Sequence, residues 1–371
     1  MQTRPRDAGP ELSIVVPTFN ERANVRPLVD EISRTLGDIE WEVIFVDDDS
    51  PDGTASAART LASESFRVRC VQRVGRRGLS SACVEGMLAS SARYLAVIDG
   101  DLQHDPAIMP KMLNVLRSGS AELVIGSRYT EGGSAGDWSG LRLAISRFAS
   151  SLSGIVMPQN LKDPMSGYFM LRRELLEEVM RNLSSLGFKI LLDIVASARR
   201  PVAFHEVPYT FRLRQAGQSK LDSSVAWEFG MLIADKLVGR YIPIRFVSFA
   251  IIGALGVLVH LVVLTIAYRV EALDFVRSQA LAVVVSMVFN YALNNALTYR
   301  DQRKRGLRWL SGLLSFMAVC GLGAVANVGI AAYLFNRQAE WLLAAIGGVL
   351  MGAVWNYAVT SVYTWGRPGA K

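Results

Sequence analysis

Charge is missing from long parts of this sequence. No Asp, Glu, Lys or Arg occurs between Arg245 and Arg269, between Arg277 and Arg300, between Arg308 and Arg337, or between Glu340 and Arg367. Each gap exceeds the about 20 residues that cross a hydrocarbon core, which excludes a wholly water-soluble chain. Cysteine is scarce as well. Cys70, Cys83 and Cys320 are too few and too scattered for a disulfide framework or a thiolate metal site, and a reducing compartment fits. The opening MQTRPRDAGPEL has no apolar h-region, so the first domain is expected to stay on the cytoplasmic side. No G-x-G-x-x-G follows the first apolar run, which disfavours a dinucleotide-dependent oxidoreductase. The net charge of +7 comes without the interleaving of basic and stacking aromatic residues that a nucleic-acid groove needs, so no nucleic-acid partner is expected. Many basic residues flank apolar segments instead, which points to membrane lipids or phosphate-bearing substrates.

What is present divides sharply. Nearly all acidic residues precede Arg245, and the four uncharged stretches predict transmembrane helices at about 246–268, 278–299, 309–335 and 341–365. The connection Arg300–Arg308 carries five basic residues and is therefore expected in the cytoplasm, with the N-terminal domain and the tail Arg367–Lys371 on the same side. Phe289-Asn290-Tyr291-Ala292 returns 66 positions later as Trp355-Asn356-Tyr357-Ala358, and Gly253-Ala254 is echoed by Gly323-Ala324, as two helix hairpins of common origin would produce. Asn290, Asn294, Asn295 and Asn356 inside these spans can line a lipid or sugar path, or simply glue helices together. Before the first span, Val225, Phe229, Leu232, Ile233 and Leu237 recur at helical spacing, so 223–243 reads as an interfacial helix and linker. Packing on the soluble domain is the alternative.

In the first half, Leu12–Val16, Glu42–Val46, Val68–Gln72, Tyr94–Ile98 and Glu122–Gly126 are short apolar runs rich in β-branched residues. Helical stretches at 21–36, 53–64, 79–92 and 106–118 separate them. This alternation predicts a mostly parallel, doubly wound α/β sheet, whose ligands bind at the carboxyl ends of the strands. Those ends carry Pro17-Thr-Phe-Asn-Glu21, Asp47-Asp-Asp-Ser50 and Asp99-Gly-Asp-Leu-Gln-His104. Acidic residues at a strand end can merely cap turns. Asp99, Asp101 and Gln103 also offer several oxygens to a hard divalent cation bridging two phosphates.

Four motifs in order, Pro17–Glu21, Asp47–Thr54, Gly78-Leu-Ser-Ser-Ala82 and Asp99–His104, resemble family 2 glycosyltransferases of GT-A fold. More narrowly, they resemble dolichol-phosphate mannose synthases and polyprenyl-phosphate glucosyltransferases, over roughly residues 11–222. The Asn-Tyr pairs of the second half resemble the small GtrA-like membrane domain over about 244–366. The resemblance implies a GT-A catalytic domain over 1–222 and an all-α, four-helix transmembrane domain over 244–371.

Carried over residue by residue, it implies that Pro17, Phe19, Glu21, Val46 and Asp48 surround the nucleotide base and ribose. Asp99, Gly100, Asp101 and Gln103 meet the diphosphate, with Asp99, Asp101 and Gln103 holding Mg²⁺ or Mn²⁺. Arg128, Arg142 and Ser146 would grip the phosphate of the lipid acceptor, Asp163 would lie near the sugar, and Lys189, Arg214 and Lys220 would supply cations to the donor diphosphate. Asp49 departs from the Gly often found there. The donor so implied is GDP-mannose and the acceptor dolichyl or another polyprenyl phosphate, with inverting chemistry. UDP-glucose is the alternative donor, and a lipid-linked sugar carrier with a nucleotide-sugar-binding domain the alternative of another class. A processive polysaccharide synthase needs Gln-x-x-Arg-Trp, whereas the Arg308-Trp309 pair lies in the basic membrane loop with Arg305 in place of Gln.

Overall fold

A computed structural model describes residues 9–134, 161–184, 189–198, 200–212, 223–239, 241–270, 274–337 and 341–366. The chain separates into two compact units, Met1–Leu237 and Val238–Lys371.

The first unit is built on strands β1 (Leu12–Thr18), β2 (Trp41–Asp47), β3 (Val68–Gln72), β4 (Tyr94–Val97), β5 (Leu123–Ser127), β6 (Phe169–Arg172) and β7 (Phe204–Pro208). They form one sheet in the order β3-β2-β1-β4-β6-β5-β7. β1 to β4 pair in parallel, β5 pairs in parallel with β7, and β6 runs antiparallel between β4 and β5. The mostly parallel sheet agrees with the alternation in the sequence. The antiparallel β6 and the edge strand β7 were not anticipated. Phe169-Met-Leu-Arg172 is only four residues long and buried on both faces, so it shows no period that separates strand from helix.

Helices α1 (Val25–Leu36), α2 (Thr54–Glu64), α3 (Leu79–Leu88), α4 (Met109–Ser118), α5 (Arg173–Val179), α6 (Ile190–Ser197) and α7 (Ser223–Val238) cover the sheet. The period of two along each strand sends side chains to opposite faces. Ile14, Val16, Val43 and Phe45 pack with α1, α2 and α4, whereas Val15, Ile44, Val46 and Val97 pack with α3, α5 and α6. Leu232 of α7 joins the second of these cores, with Phe229 against it. Lys236 reaches a fully buried carboxylate, Nζ lying 2.5 Å from Asp193 Oδ1. This face of α7 is therefore packed on the soluble unit and not laid among headgroups, because a buried ion pair and an aliphatic contact hold it there. Leu237 and Tyr241 beyond it are 52% and 80% exposed.

Pro17 near the end of β1 opens the site edge of the sheet. Its partner in β2 is Val46, but β4 pairs with β1 only as far as Val15, so the N–H that proline lacks is not needed on that side.

The second unit contains α8 (Ile244–Thr265), α9 (Phe275–Leu293), α10 (Leu307–Asn336) and α11 (Trp341–Val359). Among the described residues three stretches are long and apolar enough to cross a membrane: Ile244–Arg269, Phe275–Thr298 and Leu307–Val325. The helix expected over 341–365 is α11, continued by a π-helical turn at Thr360–Thr364. A matching π turn at Asn294–Thr298 ends α9, again 66 positions earlier. The internal repeat extends to contacts. Ser248 and Thr298 share a hydrogen bond of 2.6 Å, and Ser315 and Thr364 one of 3.1 Å.

A Cβ built on Gly256 would collide with the side chain of Asn290, and one on Gly323 with that of Asn356. Gly323 is thus the counterpart of Gly256. The echo of Gly253 in Gly323 is not borne out, since Gly253 has open space around it. The two asparagine oxygens lie buried without a conventional donor, each against a glycine, as helix packing and not a path would arrange them. Gly256→Ala and Gly323→Ala are each expected to cost about 1–3 kcal/mol by overpacking, read as a lowered melting temperature in detergent. An unchanged melting temperature in both would mean that the asparagines yield freely.

Candidate active site

The carboxyl ends of β1, β2 and β3 lie side by side, Thr18 opposite Asp47 and Asp47 opposite Gln72. The Asp47–Asp49 run divides its labour. Asp47 is fully buried and forms the turn, accepting from Ser50 N at 2.9 Å and Ser50 Oγ at 2.6 Å. Asp49 adopts φ 57, the left-handed conformation that glycine favours and aspartate tolerates, so the departure from Gly leaves the turn in place. Asp48 is buried at the end of β2 and held on both oxygens, by Arg73 Nη1 at 2.7 Å and by Gly78 N at 2.7 Å. Burial pushes its carboxyl up, against the opposing pull of Gly78 and Arg73. Glu21 closes the end of β1. Its N–H donates to Thr54 Oγ1 at 3.0 Å, and its carboxylate accepts from Asn24 at 2.8 Å. Pro17 and Val46 face one another in the β1–β2 register, next to the half-buried Phe19.

At the end of β4, Leu102 sits at φ 61 although it is a bulky residue, 4% exposed. This strained conformation persists because the core anchors the side chain, and it is what turns Asp101 and Gln103 at the cleft. Gln103 Nε2 donates to the Arg212 carbonyl at 3.0 Å, which orients the amide. Asp99 Oδ2 is 3.1 Å from His104 Nε2, while His104 Nδ1 is 2.7 Å from the Tyr209 hydroxyl. Burial by itself would raise the Asp99 carboxyl. The hydrogen bond from His104, with the nearby His104, Lys189 and Arg128 charges, outweighs it and holds the group below the usual carboxylate range. Facing a carboxylate, which can only accept, His104 donates through Nε2, and its Nδ1 shares a hydrogen bond with the Tyr209 hydroxyl. Gly167 is needed beside this group, as a Cβ there would come within 2.7 Å of Asp99 Oδ2.

A cation-binding role fits these residues. Two carboxylates and one amide oxygen are hard donors, and Mg²⁺ commonly binds through one or two carboxylates plus substrate phosphates. Among the described residues no group of three or more His, Cys, Asp or Glu forms a complete protein cage. Phosphate oxygens would have to complete the shell.

At the end of β5, Arg128 and Asp163 form a buried bidentate pair, with Nε to Oδ2 at 2.8 Å and Nη2 to Oδ1 at 2.7 Å. The Arg128 N–H adds a third bond to Oδ2 at 3.0 Å. Their side chains are 7% and 0% exposed. Lys189 donates to the Met165 carbonyl at 3.3 Å. Burial, helped by the Arg128 charge, pulls its ammonium down to about 8, against Asp99 and Asp163. The structure thus brings together Pro17, Phe19, Glu21, Val46, Asp48, Asp99, Gly100, Asp101, Gln103, Arg128, Asp163 and Lys189 at one end of the sheet. Arg142, Ser146, Arg214 and Lys220 lie outside the described residues. Arg73 and Tyr209 were missed. Arg73 directly follows β3 at the site edge of the sheet, a position that marked it as a candidate, but nothing in sequence showed that it would be buried against Asp48.

Residues 13–180 match the glycosyl transferase family 2 model, and residues 248–365 the GtrA/DPMS transmembrane domain. A dolichol-phosphate mannosyltransferase from Pyrococcus furiosus is 33% identical over 96% of this chain and 99% of its own length. One from Saccharomyces cerevisiae is 36% identical over 62% of this chain and 88% of its own, and one from Mycosarcoma maydis 36% identical over 64% and 83%. With its GT-A type sheet, its acidic strand ends and its apolar helices, the chain is a membrane-embedded glycosyltransferase and belongs to the dolichol-phosphate mannosyltransferase family.

Proposed function

We propose that this enzyme transfers a mannosyl residue, with inversion, from GDP-mannose to dolichyl or another polyprenyl phosphate at the cytoplasmic membrane face. One observation carries the reading: Asp99, Asp101, Gln103, Lys189 and the Arg128–Asp163 pair gather at one sheet edge, in a chain whose other half contains helices of membrane-crossing length. The mannosyl group and the lipid acceptor are supported by the names of the full-length relatives, and the cytoplasmic side by the basic loop Arg300–Arg308.

The acceptor is a phosphate monoester, anionic at neutral pH, so no general base is required. Asp163 is unsuited to that task, both oxygens being engaged by Arg128. Its work is to hold Arg128, which with Arg142 and Ser146 would align the acceptor phosphate. The bond from acceptor oxygen to anomeric carbon forms as the bond from that carbon to the diphosphate breaks, and the electron pair leaves with the diphosphate. An α-linked donor gives a β-linked product. Lys189, Arg214 and Lys220 would offset the developing charge. A divalent cation held by Asp99, Asp101 and Gln103 would add Lewis-acid stabilisation of the same leaving group.

Lys189 imposes a pH dependence. Below about pH 8 its ammonium is charged and attracts the diphosphate, whereas above about pH 8 binding must take up a proton. GDP affinity at saturating Mn²⁺ is therefore expected to fall by as much as about tenfold per pH unit above that point, and Lys189→Arg to flatten the profile. Calorimetric titration across this range checks it, and an identical slope in Lys189→Arg would assign the effect elsewhere.

Radiolabel transfer into organic-extractable lipid tests the function itself, using purified protein, Mn²⁺ and a polyprenyl phosphate with either GDP-mannose or UDP-glucose. Labelling from GDP-mannose supports the proposal. Labelling from UDP-glucose alone reassigns the sugar, and labelling from neither moves the reading to a carrier.

A further inference from the structure

The loop between β3 and α3 carries three arginines, Arg73, Arg76 and Arg77, and each is used differently. Arg73 is buried and ties both ends of the loop to Asp48: it bonds the carboxylate at 2.7 Å, the Gly78 carbonyl at 3.0 Å and Ser81 Oγ at 2.6 Å, while Gly78 N holds the other carboxylate oxygen at 2.7 Å. Arg76 points away, paired with Glu85 at 2.6 Å. Arg77 is exposed, yet its guanidinium lies over the ring of Phe19, 4.2 Å from the centroid. Among the described residues that guanidinium has no ion pair. An exposed cation–π contact is worth only about 0.5–1 kcal/mol, so an entering ring can displace it. Glycines at φ 67 and φ 141, Gly75 and Gly78, flank the segment that would turn.

We propose that Arg77 reads the donor's base and biases this pocket toward guanine. The inference rests on the reading of Phe19 and Asp48 as the nucleotide pocket. A base seated on the Phe19 ring meets the guanidinium at its edge. Guanine presents O6 and N7 as adjacent acceptors that match the donor-only fork of arginine. Uracil offers single carbonyl oxygens on either side of an N–H and cannot take both donors. Asp48, held by Arg73 and by Gly78 N, anchors both ends of the loop that carries Arg77.

The test is the affinity of the full-length protein for GDP and for UDP, each with Mn²⁺, in wild type, Arg77→Ala and Arg77→Lys. Wild type is expected to prefer GDP. Arg77→Ala should weaken GDP about tenfold or more, with UDP changed less than about threefold, and Arg77→Lys should keep the charge without restoring the preference. Equal losses for both nucleotides, full rescue by Arg77→Lys, or no change on GDP in Arg77→Ala would each overturn the role of Arg77 while leaving the glycosyltransferase site intact. A wild-type protein that binds neither nucleotide, or prefers UDP, overturns the guanine reading and this inference together. Because Arg77 is exposed, an unchanged melting temperature is expected in both variants, and a fall in either would refute its placement on the surface.

Discussion

Arg128→Met and Asp163→Leu, made singly, are each expected to destabilise the catalytic unit by about 3–5 kcal/mol, and the double variant by much less than their sum. The pair is bidentate, its carboxylate fully out of solvent, with a third bond from the Arg128 backbone. Removing one partner strands the other charge where water cannot reach it. Loss of Asp163 is the harsher case, because Lys189 and Arg128 then repel one another across a dry site. Thermal unfolding in detergent reads the effect, a loss of this size corresponding to roughly 10 °C in a domain of more than 200 residues. Activity should disappear in all three variants, the double included, since packing can be repaired by apolar side chains but phosphate alignment cannot. Single losses below about 1 kcal/mol, or strictly additive ones, would show that solvent already screens the pair.

Asp101→Ala is expected to lower turnover about 10³-fold or more while leaving the melting temperature nearly unchanged. The side chain is buried at the cleft beside the strained Leu102, and its Oδ1 accepts from Gln103 N at 3.2 Å. Removing it would delete one of the two carboxylates proposed to hold a divalent cation at the diphosphate. Mn²⁺ titration followed by electron paramagnetic resonance gives a readout independent of turnover, in which Asp101→Ala should bind Mn²⁺ in the presence of GDP far more weakly than wild type. Turnover within about tenfold of wild type would sink the assignment of Asp101 as a cation ligand.

The first five strands and the membrane half were legible because both write themselves into composition. β-branched runs punctuated by polar turns have only one economical arrangement with helices between them, and uncharged runs of more than 20 residues suit only a bilayer. The strand-end motifs were legible for the same reason, since a parallel sheet brings its carboxyl ends together whatever lies between them in sequence. Residue spacing therefore brings Asp99, Asp101, Asp48 and Phe19 to one edge of the sheet.

The partners of each charge were decided elsewhere. Asp47, Asp48 and Asp49 are chemically alike and adjacent, yet one builds a turn, one is pinned by Arg73 and one accepts from Gln72 at 2.8 Å, because successive residues leaving a strand point in different directions. Arg73 lies 25 positions from Asp48, Arg128 lies 35 from Asp163, and Lys236 lies 43 from Asp193. Such pairs have no local period, and only the order of strands and the docking of helices bring them together. In the membrane unit the counterpart of Gly323 proved to be Gly256 and not the expected Gly253, because Gly256 is the glycine that meets an asparagine. Sequence alone determined the two-part architecture and the edge of the sheet where ligands are expected, because hydrophobic pattern and strand-end position are local properties of the chain, while the chemistry class came from the resemblance of four ordered motifs. The tertiary structure decided which carboxylates are paired, buried or left exposed, because that depends on long-range pairing and on the desolvation that comes with it.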